Sequence, residues 1–243
     1  MNTRKKFSIF AIIIALFSVN SVYGYYPYSP YAYCANNPVN FVDPDGRENI
    51  PALLWARENM SNKGIPFGVW FGGASGWSYM QGTVPTQTVC YESCFMTYMN
   101  STDNVVSHLK ETGFATKSGG FVGRSTPTGG MNWFKAGDGT DRSFVTDISK
   151  GELGDIAFMG EVGGMLGHAV LLNELPILGS YTDSNGNTIE TMTLNTLSTG
   201  TDNNDFGERT IIFEKQKNGE WKQQGGAEYI FRGYGQLNSE FSK

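Results

Sequence analysis

From Gln87 the stretch QTVCYESCFMTYMNS carries apolar residues at helical intervals, Val89, Phe95, Met96 and Met99, with the polar Asn100 at its close. That spacing predicts a helix of about three turns. TDNVVSHLKETG repeats the pattern, with Thr102 or Asp103 as the cap, Val105, Val106 and Leu109 as the stripe, and Gly113 as the stop. Upstream, PALLWARENMSNK over residues 51–63 reads as a short helix with Leu53, Leu54 and Met60 inward.

The polar and apolar order then changes character. Residues 118–142 are rich in Gly, Ser and Thr and read as a long loop, whereas GELGDIAFMG and GHAVLLNEL are apolar runs bounded by glycines, the mark of strands. SYTDSNGNTIETMTLNTL reads as a hairpin turning at Ser184 to Asn187, and RTIIFEKQKNGEWKQQ as another turning at Asn218-Gly219. Helices first and sheet second predict an α+β domain with an antiparallel sheet. Between the first two helices, GIPFGVWFGGASGWSYMQGT alternates glycine with aromatics, a turn-rich cleft wall in which Trp70, Trp77 and Tyr79 are candidates for an aromatic rim or for core.

The first 24 residues depart from all of this. Arg4, Lys5 and Lys6 precede an apolar run from Phe7 to Val19 and small residues near Gly24, the layout of a secretory signal peptide, too short for a comfortable membrane span. Cleavage there would move the formal net charge from −5 to about −8. Such an acidic chain, with no local concentration of Lys and Arg, excludes nucleic acid and anionic membrane surfaces as partners. At 243 residues and 40% hydrophobic, the chain holds one sizeable domain with short appendages.

Candidate chemistry rests on three cysteines and two histidines. Cys90 falls where a helix begins, so backbone N–H groups and the helix dipole would favour its thiolate; Cys94 lies one turn deeper. Cys90 and Cys94 on one helix are too far apart to bridge, but a disulfide from Cys34 to either is open. His108 sits in a helix beside Lys110 and Glu111 and reads as an ordinary solvated or half-buried side chain. His168 opens an apolar strand after a glycine-rich turn, and a helix cysteine followed much later by a strand histidine is the order of a Cys–His hydrolase. These spacings match no zinc site, and no phosphate loop or dinucleotide fingerprint occurs, so neither metal nor other cofactor is expected.

Two resemblances add to this. Tyr31, Tyr33 and the run Asn36-Asn37-Pro38-Val39-Asn40-Phe41-Val42-Asp43-Pro44-Asp45-Gly46 resemble the terminal pattern of RHS-repeat protein cores, behind which that family carries an effector domain. The repeats themselves are absent. CYESCFMTYMN followed by GDIAFMG, GHAVLLNE and LNTLSTG resembles the papain-like superfamily, particularly bacteriocin-leader peptidases and toxin domains behind RHS cores. The resemblance implies a papain-like fold, with helices bearing the cysteine packed on an antiparallel sheet bearing the histidine.

By that resemblance Cys90 is the nucleophile, with Cys94 the alternative because the second cysteine of papain's own close pair reacts. His168 is the general base, and Asn195 the residue that orients it, with Asp183, Asn173 and Asp202 as rivals. Gln87 is the oxyanion donor, closer to Cys90 than the family's usual spacing, and Gln81 is another candidate. The expected organisation is a signal peptide over 1–24, an RHS-like remnant over 25–50 and a hydrolase domain over 51–243. The expected function is an exported cysteine peptidase or amidase acting on peptide, protein or cell-wall peptide, an antibacterial effector with an immunity protein as partner; transamidase and deamidase chemistry would use the same residues. The alternatives are a secreted binding module with Cys34 disulfide-bonded and an inactive toxin remnant.

Overall fold

A computed structural model describes residues 49–68, 84–113, 127–161, 164, 166–199, 205–225 and 228–237, all within the compact unit Asp45–Lys243. The signal-like segment, the RHS-like segment as far as residue 48 with Cys34, the aromatics Trp70, Trp77 and Tyr79, and Gln81 and Asp202 lie outside the described residues.

Four short helices are present among the described residues. Helix α1 (Ile50–Asn59) starts where Asn49 Oδ1 accepts the Ala52 N–H and Pro51 occupies the first turn. Helix α2 (Cys90–Met99) starts on an extended Val89, whose N–H is taken by the Glu92 carboxylate at 3.1 Å. Every residue of α2 from Tyr91 to Met99 is buried, so this helix runs through the core rather than over it. Helix α3 (Asp103–Glu111) is capped by the Thr102 hydroxyl and turns Val105, Val106 and Leu109 inward. Helix α4 (Pro127–Lys135) lies inside the stretch expected to be a loop. Its Thr128, Gly129 and Gly130 are poor helix formers, and burial of Trp133 and Phe134 overrides that local preference.

The strands are β1 (Arg142–Val145), β2 (Ile156–Glu161), β3 (Leu166–Leu172), β4 (Ile177–Thr182), β5 (Thr188–Ser198), β6 (Gly207–Lys215), β7 (Trp221–Gln223) and β8 (Tyr229–Leu237). Strands β8, β2, β3, β5, β6 and β7 are neighbours in that order, and Lys222 of β7 opposite Ile230 of β8 returns the sheet to its start. The result is a closed six-stranded antiparallel barrel, with β1 added on β8 and β4 added on β5. This overturns the papain-like expectation: among the described residues sheet outweighs helix, and the sheet closes on itself.

Periodicity reports which face of a strand is apolar but not whether the last strand meets the first. Closure depends on bending, and β8 bends at Gly233, whose φ is +143°. The register with β2 slips there, from Phe158 opposite Gly233 to Met159 opposite Phe231. A Cβ on Gly233 would stand 2.6 Å from the Val145 carbonyl oxygen, so the residue also lets β1 come close.

Two apolar cores result. Ala157, Met159, Val170, Leu172, Met192, Leu194, Phe213 and Phe231 fill the barrel interior. Phe95, Met96, Tyr98, Val105, Phe134, Ile156, Phe158, Ala169 and Leu171 join the helices to the barrel's outer wall. Strands β2 and β3 are therefore apolar on both faces, which is why IAFM and AVLL read as unbroken runs. Strand β5 alternates, Met192 and Leu194 buried, Thr191 and Thr193 less so. No helix among the described residues is long and apolar enough to cross a membrane.

Candidate functional site

Helix α2 delivers its first residue, Cys90, to the wall of β3. The partly buried thiol lies against the backbone of Ala169, the neighbour of His168 in the chain. Burial raises the thiol above its ordinary value of 9.0, and the Glu92 carboxylate adds to this, while hydrogen bonds from the Ala169 and Tyr91 backbone pull the other way. Among the described residues no cation offsets the burial. Cys90 therefore stays protonated at neutral pH, with backbone N–H groups already aimed at its sulfur.

His168 stands opposite Met159, just after a register shift that puts Gly160 opposite Leu166. Burial lowers its imidazole from 6.5 to about 4, so the ring is neutral and able to accept a proton. Its neighbour is Tyr229, the first residue of β8, whose ring stacks on the imidazole with centroids 5.6 Å apart and planes 10° from parallel. A Cβ at residue 167 would stand 2.9 Å from the Tyr229 ring, so glycine there leaves the space the aromatic occupies. The Tyr229 phenol is raised by burial, then by charge at Cys90 and Glu161. Among the described residues no hydrogen bond joins Cys90 to His168.

The other candidates are engaged elsewhere. Cys94 is fully buried, donates its S–H to the Cys90 carbonyl at 3.4 Å, and is raised by burial well above the ordinary thiol range. Asn195 donates to Glu174 Oε2 at 2.6 Å and accepts from the Thr210 hydroxyl at 2.8 Å, and neither contact reaches His168. Asn173 accepts from Arg57, and Asp183 closes the β4–β5 turn through Asn185 and Asn187. Gln87 is partly buried beside Gly68, in the segment where Phe67 bridges to Thr88. Asp155 precedes β2 and accepts from Glu152 N–H and Gln236.

His108 is more enclosed than the solvated or half-buried side chain its helix suggested. It is buried, with Nε2 3.2 Å from an Asp141 oxygen and its ring beside Trp133, over which Arg142 also lies. Asp141 comes from the loop before β1, so nothing in the helix could announce it. Among the described residues no group of three or more His, Cys, Asp or Glu side chains converges to hold a metal. The residue that sequence reasoning missed at the site is Tyr229, which lies 61 positions after His168 and carries no motif.

Comparison with protein-family models, with curated proteins and with solved structures returned no match. The His168–Tyr229 stack and the Cys90 thiol at the Ala169 backbone thus stand on their own geometry.

Proposed function

We propose that this chain is a cysteine hydrolase acting on peptide or amide bonds, with Cys90 as nucleophile and His168 as base. The observation that carries the reading is the contact between the Cys90 thiol, at the start of α2, and the backbone next to His168. The neutral imidazole takes the thiol proton as sulfur attacks the carbonyl carbon, and returns it to the leaving amine as the C–N bond breaks. Water, deprotonated by the same imidazole, then cleaves the thioester. Backbone N–H groups at the start of α2 are the natural donors for the oxyanion. Cys90 packs beside Ala169 on the outer face of β3, whereas His168 shares the inner face with Val170 and Leu172, so on this reading β3 must rearrange at its bulge before the thiol–imidazole hydrogen bond forms. The signal-like and RHS-like sequences favour export and an effector role, with a cell-wall peptide or protein as substrate.

The test is hydrolysis of a mixed peptide library and of purified cell-wall peptides by the wild type and by Cys90→Ala and His168→Ala. Loss of cleavage in both folded variants supports the reading, and retention in either ends it. The open thiol–imidazole geometry favours one second reading, an inactive descendant of such an enzyme. In that case the wild type cleaves nothing, and His168→Ala leaves the Cys90 alkylation rate unchanged.

A further inference from the structure

We propose that β4 is a pairing edge through which two copies of this chain join strand to strand. Strand β4 is hydrogen-bonded along one side only, to β5, from Ile177 opposite Thr193 to Thr182 opposite Thr188. No described strand occupies its other side. All six of its residues are exposed, and Leu175, Ile177, Leu178 and Tyr181 form the main group of exposed large hydrophobics among the described residues. Edge strands are normally protected by lysine, by an internal proline, by a bulge or by a covering element. ILGSYT has no charge and no proline, and its register with β5 runs without interruption.

The occupant follows from the strand's own pattern. Antiparallel pairing about a two-fold axis through Gly179 places Ile177 opposite the second copy's Tyr181, and Tyr181 opposite its Ile177. Both residues lie on one face, as alternation requires. Two such aromatic to β-branched pairs are among the favourable cross-strand combinations, and with no charge on β4 no like charges oppose each other. The Tyr181 hydroxyl donates to Glu214 at 2.6 Å, holding the ring on that face before any partner arrives. A foreign strand would have to supply the complementary pattern, and a second copy already carries it. The contact is small, so a reversible dimer is expected.

Sedimentation velocity on the full chain over a concentration series, with two variants, tests this. The wild type should show a monomer–dimer equilibrium, and Ile177→Lys should lose the dimer without a change in melting temperature. Gly179→Cys, whose thiols meet on the two-fold axis, should form a disulfide-linked dimer under mild oxidation, above any cross-linking in the wild type or in Ser184→Cys at the hairpin turn. A wild type that stays monomeric, an Ile177→Lys variant that dimerises as well as the wild type, or a Gly179→Cys chain that cross-links no more than the controls would overturn the proposal.

Discussion

The Tyr229 ring lies flat on the His168 imidazole, with 5.6 Å between centroids. On the proposed reading, a histidine held by its face offers one ring nitrogen to the Cys90 proton. Tyr229→Phe keeps the stacking surface and should retain activity within a few-fold. Tyr229→Ala frees the ring and should lower kcat by about 100-fold, the scale of a misplaced catalytic group. Steady-state kinetics on the two variants check this, and equal losses in both would mean that the hydroxyl rather than the ring matters.

Stability should fall with acid through His168. Its folded value of about 4 lies below the ordinary 6.5, so between those values the unfolded chain binds a proton that the folded chain refuses. Stability from this group is full above pH 6.5 and is lost as pH falls toward 4, about 2 kcal/mol of it by pH 5. Urea unfolding at pH 7 and pH 5 should show that much less acid sensitivity in His168→Gln than in the wild type.

The two cysteines of α2 should react differently. Of these two, native protein should label at Cys90, slowly at neutral pH and faster as pH rises toward and beyond 9.0, because burial holds the thiol protonated. Cys94, with no exposed surface, should label only on unfolding. Mass spectrometry after timed alkylation reads both, and rapid native labelling of Cys94 would contradict this placement.

Asn195→Ala should leave kcat unchanged and cost about 1 kcal/mol of stability, since it loses hydrogen bonds to Glu174 and Thr210 at the barrel surface. A large fall in kcat with unchanged stability would restore it as the orienting residue.

Gly233→Ala should destabilise by roughly 3 kcal/mol or more, combining backbone strain at φ +143° with a Cβ pressed on the Val145 carbonyl and the Phe144 ring. Thermal unfolding measures the loss, and a neutral result would mean that the barrel closes without this bend.

What the sequence determined by itself was local. A helix beginning at Cys90, the Thr102 cap and the turns at Ser184 to Asn187 and Asn218-Gly219 all follow from spacing and turn chemistry within a few residues. The unbroken apolar runs of β2 and β3 likewise announced strands. The decisions that needed the tertiary structure join residues far apart in the chain. Asp141 reaches His108, Trp133 and Phe134 hold α4 helical, Thr210 and Glu174 take up Asn195, and Tyr229 comes to lie on His168. The largest of them was closure: whether β8 meets β2 on one side and β7 on the other depends on a bend at Gly233 and a register slip. Alternation along a strand encodes which face is buried, but strand order and closure are set by pairing between strands, and that is a property of the folded whole.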